Sequence, residues 1–240
     1  MGRDIAFETT LGTVSGWRAD PIGAPRGGLI VVQEIFGVNA HMRSVADRYA
    51  AEGFVAIAPA YFDPVERGVE LGYDQDGFTR GKTLVMALGF DHALAITAAV
   101  ANLLQNEGLR VGVVGFCWGG TVALLGNLRL GLPAASYYGA RNVGFLDEPL
   151  RAHMPAPIQF HFGGHDPSIS PEDIELHREK MPTAEIHVYP TGHAFNRDVD
   201  PKAFDGASAR LAHSRALAFF NHAFSNQAFS NQALFNHAQH

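Results

Sequence analysis

Six short apolar runs, each followed by a turn and then an amphipathic stretch, constrain this chain more than any other feature. They span 28–33, 54–58, 111–115, 134–138, 158–162 and 186–189. Runs that are apolar on both faces suit parallel strands covered on both sides. Between them the spacing predicts helices near 41–52, 82–105, 119–129, 171–181 and 202–222. Strand and helix alternating through short joins predict an α/β fold: a doubly wound, mostly parallel sheet flanked by helices. A weaker alternation over 4–18, around Thr10-Leu11-Gly12-Thr13, reads as a hairpin. No Pro/Gly/Ser-rich linker divides the chain, so residues 1–222 form one domain. The remainder, 223–240, repeats Ala-Phe-Ser-Asn-Gln and then degenerates. A period of five fits neither helix nor strand. The tail is therefore expected to be a frayed or disordered extension of the last helix, with a Phe-studded docking segment as the alternative.

Charge and cysteine content exclude several function classes. The net charge of −6 lacks the basic footprint of a nucleic-acid binder. One cysteine permits neither an intrachain disulfide framework nor a Cys-cluster zinc site. The N-terminus has no apolar signal core, and Ala6 stands where an acylated Gly2 wants Ser or Thr. No uninterrupted apolar run approaches the roughly 20 residues of a membrane span. The expectation is a cytoplasmic protein, monomer or weak dimer, that acts on a small molecule and touches neither membrane nor nucleic acid.

The lone cysteine sits in Gly115-Phe116-Cys117-Trp118-Gly119-Gly120, after an apolar strand and at the start of a helix. This is a Gly-x-nucleophile-x-Gly turn with Cys in place of Ser. Such a turn lifts its central side chain above the sheet, and small residues two before and two after relieve the crowding. The helix N-terminus favours the thiolate. A buried Cys is more commonly a small hydrophobe. A dinucleotide loop is the other option, but Gly-x-Gly-x-x-Gly is absent and the strand 132–140 holds no acid for a ribose.

Acyl transfer by a thiolate needs a base and a group that orients the base. Asp166 follows the strand 158–162, in Gly163-Gly164-His165-Asp166-Pro167, where the two glycines are expected to turn the carboxylate back over the sheet. His193 follows the strand 186–189, in Thr191-Gly192-His193-Ala194-Phe195. Either alone is an ordinary loop residue. Together they give the order nucleophile, acid, His, each after a strand, as in α/β hydrolases. His161 and His165 are four apart, but 161 lies in a strand, so no metal site is expected.

The stretch Gln33-Glu34-Ile35-Phe36-Gly37-Val38-Asn39, with the cysteine elbow, the Asp166 loop and Gly192-His193-Ala194-Phe195, strongly resembles the dienelactone hydrolase (carboxymethylenebutenolidase) family, in colinear order over about 5–222. The resemblance implies an α/β-hydrolase fold, a Cys117-His193-Asp166 triad and no cofactor. It implies that Glu34 accepts the thiol proton at rest and turns away when substrate binds. The oxyanion hole then falls to the backbone N–H groups of Ile35 and Trp118. Arg197, four residues after His193, matches the family's carboxylate clamp. Arg80, with Lys82 behind it, is the nearest match to the second arginine. Phe36 and Phe195 are expected to wall the site, and Tyr137 and Tyr138 to line it or to belong to the core. The implied activity is hydrolysis of small lactones or esters that bear a carboxylate. A broad carboxylesterase or thioesterase, or a non-catalytic thiol-bearing binding protein, remains the alternative.

Overall fold

The computed structural model describes residues 2–148 and 156–225. A hairpin of β1 (Arg3–Thr9) and β2 (Gly12–Ala19) leads into β3 (Gly28–Val32), α1 (Ala40–Ala51) and β4 (Val55–Pro59). Next come α2 (Gln75–Asn106), β5 (Val111–Phe116), α3 (Trp118–Leu130) and β6 (Ala134–Tyr137). The chain closes with β7 (Ile158–Gly163), α4 (Pro171–Lys180), β8 (Glu185–Tyr189) and α5 (Gly206–Ser225). The sheet runs β1-β2-β4-β3-β5-β6-β7-β8. It is antiparallel at β1–β2 and β2–β4 and parallel from β4 to β8.

Every residue of β3, β4, β5 and β7 is buried, as expected for strands covered on both faces. Gly28 faces the Leu104 side chain of α2, while Gly112, on the opposite face, lies under Phe220 and Phe224 of α5. Phe224 also packs against Phe54 at 6.1 Å between ring centroids. The last helix thus runs three residues past the expected end of the domain, because Ala223 and Phe224 fill the core over β3 and β5. The rest of the repetitive tail lies outside the described residues.

Two helix starts differ from the sequence reading. The second helix begins at Gln75, not 82, because the Asp74 side chain caps the Gly77 N–H at 2.7 Å. The last begins at Gly206, where Asp205 accepts from the Ser208 N–H at 2.7 Å. By length and composition alone, α2 is long and apolar enough to cross a membrane. Yet it breaks at Gly89 (φ 72°) and buries Ala93, Ile96, Val100 and Leu104 within the fold, as a core helix does.

Candidate active site

Six parallel strands end on one side of the sheet, and five of them, β3, β5, β6, β7 and β8, deliver a residue of interest just past the carboxyl end, the ligand side of such sheets. The thiol comes from the β5–α3 turn. Cys117 has φ 56° and ψ −117°, outside the ordinary regions for an L-residue. The turn is closed tightly: a Cβ on Gly115 would lie 1.8 Å from the Gly119 carbonyl oxygen. One on Gly119 would lie 2.4 Å from the Gln33 carbonyl oxygen, so the helix start rests directly on the end of β3. That contact sets the start of α3 against the backbone at the end of β3, on the carboxyl-end rim of the sheet. Among the described residues, the non-glycine positions with positive φ are Cys117, Tyr138 and Ala194, all at this rim. Strain gathered in one place is a mark of a functional site.

His193 Nδ1 lies 2.6 Å from Asp166 Oδ2. Burial of the ring opposes its charge, but Asp166 and the neighbouring Cys117 overcome it and push His193 up to about 10. Asp166 is fully buried, and its other oxygen accepts the Ser168 N–H at 2.8 Å. The glycines before Asp166 act differently from expectation. Neither has positive φ; Gly163 matters because a Cβ there would lie 2.4 Å from the Gly192 carbonyl oxygen. The loops carrying Asp166 and His193 can touch only over a glycine.

Glu34 is 1% exposed and gives both oxygens to Arg197: Nε donates to Oε2 at 3.0 Å and Nη2 to Oε1 at 2.9 Å. Nη1 of Arg197 donates to Asp200 at 3.2 Å. The guanidinium lies between two aromatic faces, Tyr73 at 4.6 Å and Phe36 at 5.1 Å. The resting Glu34–thiol contact that the resemblance implies is therefore not made; a bidentate guanidinium outcompetes a thiol for a carboxylate. His41 and Arg48 both hold Asp198, which ties the segment after Arg197 to α1. Tyr73, Asp200, His41 and Asp198 were not foreseen. Only Asp200, at helical spacing from Arg197, left a signal in the sequence.

The other expected residues divide. Tyr138 presents its ring edge to His193 at 5.0 Å. Tyr137 belongs to the core: it is 1% exposed and stacks on His161 at 4.3 Å. Phe195 is fully buried among Tyr137, Tyr138 and Tyr189, so it supports the His193 loop from behind rather than walling the site. Trp118 stacks on Phe90 at 6.1 Å and meets Tyr61 edge-on at 5.7 Å. Arg80 does not join Arg197: it is exposed and paired with Glu66. Lys82 is also exposed and lies over Phe78, one turn earlier on α2. Among the described residues, no group of three His, Cys, Asp or Glu side chains could hold a metal ion.

A strained strand-to-helix elbow, with an acid and a histidine after later strands of a mostly parallel sheet, defines an α/β-hydrolase fold and a candidate hydrolase site. The family model of the dienelactone hydrolase family matches residues 14–224, and the chain belongs to that family. A carboxymethylenebutenolidase of Pseudomonas putida is 30% identical over 225 residues, which cover 88% of this chain and 90% of that protein. A Synechocystis relative provisionally named a carboxymethylenebutenolidase is 38% identical over 149 residues, 57% of this chain but only 61% of that protein. A crystal structure of a Klebsiella pneumoniae protein, provisionally named a dienelactone hydrolase, superposes with a TM-score of 0.77 at 30% identity, covering 92% of this chain and 98% of that one.

Proposed function

We propose that this chain cleaves small lactones or esters through a Cys117-His193-Asp166 triad and an acyl-thioester intermediate. Family membership already makes it a hydrolase of carboxylic esters or lactones. The observation that carries the finer reading is the strained Cys117 elbow facing an imidazole whose far nitrogen is fixed by buried Asp166. His193, charged by its two partners, stabilises the thiolate. The thiolate attacks the carbonyl carbon, and the Ile35 and Trp118 N–H groups receive the oxyanion. Collapse breaks the C–O bond, and His193 Nε2–H protonates the leaving oxygen. Water, deprotonated by the same nitrogen, then releases the acid and returns the thiol. Glu34 stands on Arg197, away from the thiol, and a substrate carboxylate that claims Arg197 would break that pair.

The test uses p-nitrophenyl acetate and a small unsaturated lactone acid. Cys117→Ala should lose turnover of both, and an acid-quenched wild-type reaction should show the acyl mass on the peptide holding Cys117. Turnover by Cys117→Ala overturns the reading. One observation favours a broad carboxylesterase: both expected cationic contacts are held by the protein's own acids, Arg197 by Glu34 and Asp200, Arg80 by Glu66. Higher kcat/KM for neutral aryl esters than for the lactone acid decides for that reading.

A further inference from the structure

Tyr189 ends β8 and holds both loops of the proposed catalytic pair. Its carbonyl accepts the Gly164 N–H at 2.7 Å, on the way to Asp166, and the Thr191 N–H at 2.8 Å, on the way to His193. Its ring packs on Phe195 at 5.1 Å; Phe195 lies against Tyr138, whose edge meets His193. Its hydroxyl contacts His161 Nδ1 at 2.8 Å and Arg215 Nη1 at 3.2 Å. His161 Nε2 lies 2.8 Å from Gln159 Oε1. Gln159 Nε2 lies 2.7 Å from Glu185 Oε2 and 3.2 Å from His187 Nε2. This chain runs from half-buried Arg215 through the fully buried His161 to the sheet edge.

Donor chemistry sets its direction. A guanidinium only donates and a carboxylate only accepts. Glu185 therefore takes an amide N–H from Gln159, which leaves the Gln159 oxygen facing His161. His161 must donate from Nε2, so its Nδ1 is bare and accepts the Tyr189 O–H. The Tyr189 oxygen accepts from Arg215. Turning any link over sets two donors or two acceptors face to face. A neutral His161 agrees with its environment: burial first, then the His187 and Arg215 charges, hold it well below the usual imidazole range.

We propose that Tyr189 is a positioning residue for the Asp166–His193 pair, held in place by the one-way hydrogen-bond chain from Arg215 through His161 and Gln159 to Glu185. The inference rests on the reading of Asp166 and His193 as catalytic. Without the hydroxyl, the bare Nδ1 of His161 is a buried acceptor with no partner. The ring is then free to slide on Phe195, and the carbonyl that holds both loops moves with it. A shift of about 1 Å in a catalytic group costs on the order of 10²-fold.

Tyr189→Phe keeps the ring and removes the hydroxyl. With p-nitrophenyl acetate, kcat is expected to fall about tenfold or more while KM stays within about twofold. Arg215→Leu should lower kcat by a few-fold, and Arg215→Gln, which can still donate to Tyr189, should restore it. An unchanged kcat in Tyr189→Phe, with Cys117→Ala inactive, overturns the positioning role and leaves the triad standing. Turnover by Cys117→Ala overturns the triad itself. Should Tyr189→Phe fail to fold, the Arg215 pair decides: equal kcat in its two variants overturns the proposal.

Discussion

Replacing Glu34 by Gln keeps the shape of the side chain and removes its charge. Arg197, 9% exposed, is then left with Asp200 at 3.2 Å as its only carboxylate. Breaking a buried ion pair from one side costs about 3–5 kcal/mol, because the remaining charge stays desolvated. Asp200 is 22% exposed at its side chain and offsets part of that. The net loss should be about 2 kcal/mol, roughly a 30-fold shift in the unfolding equilibrium. For a chain of this size that lowers Tm by about 4–8 °C. Urea and thermal unfolding followed by circular dichroism at pH 7 measure it. The cycle is closed with Arg197→Met, an apolar side chain of similar length. The double variant should be more stable than Glu34→Gln alone, since removing both charges removes the desolvation problem as well as the attraction. A Glu34→Gln variant within about 0.5 kcal/mol of wild type, or strict additivity in the cycle, refutes the argument.

Asp166→Asn should lower kcat by about 10³–10⁴-fold at neutral pH, because an amide can hold His193 in the wrong tautomer and does not stabilise its charge; ester turnover with an active-site titration measures this. His193 is raised from an ordinary value of 6.5 to about 10, so its proton is bound more tightly in the folded chain. The stability this contributes is complete below about pH 6.5 and is lost as pH rises through about 10. Tm measured across that window should therefore fall less in Asp166→Asn than in wild type, and parallel curves count against the assignment. Arg80→Ala removes an exposed ion pair with Glu66. It should change stability by less than about 1 kcal/mol and leave the ratio of kcat/KM for anionic and neutral esters within about threefold, whereas Arg197→Met should shift that ratio strongly.

The elbow and the two loops after β7 and β8 were legible in the sequence because each is a local pattern at a strand end. The parallel, doubly covered character of the sheet followed from runs apolar on both faces. What stayed hidden was pairing over distance. Glu34 and Arg197 stand 163 positions apart, and nothing local in either says that each is the other's partner. Arg80, spaced much like a family arginine, faces outward because Glu66 sits within its reach. The start of α2 was missed because Gly77 masked an Asp74 cap. In β7 the polar residues Gln159 and His161, two apart in a buried strand, were a sign of an interior polar chain. Their partners became visible only when β8 was laid beside them in register.

Phe224 changes how the repetitive end of the chain should be regarded. It belongs to the first copy of the five-residue unit, yet its ring occupies the space above two glycines, Gly27 just before β3 and Gly112 in β5: a Cβ on Gly27 would sit 2.5 Å from it, and one on Gly112 3.2 Å. Those glycines are small because the ring is there. A chain cut after His222, two residues short of the end of the family match, has therefore not shed an ornament. It has an opening under its two central strands, and water or a stray apolar group will take the place that the repeat's own phenylalanine was keeping.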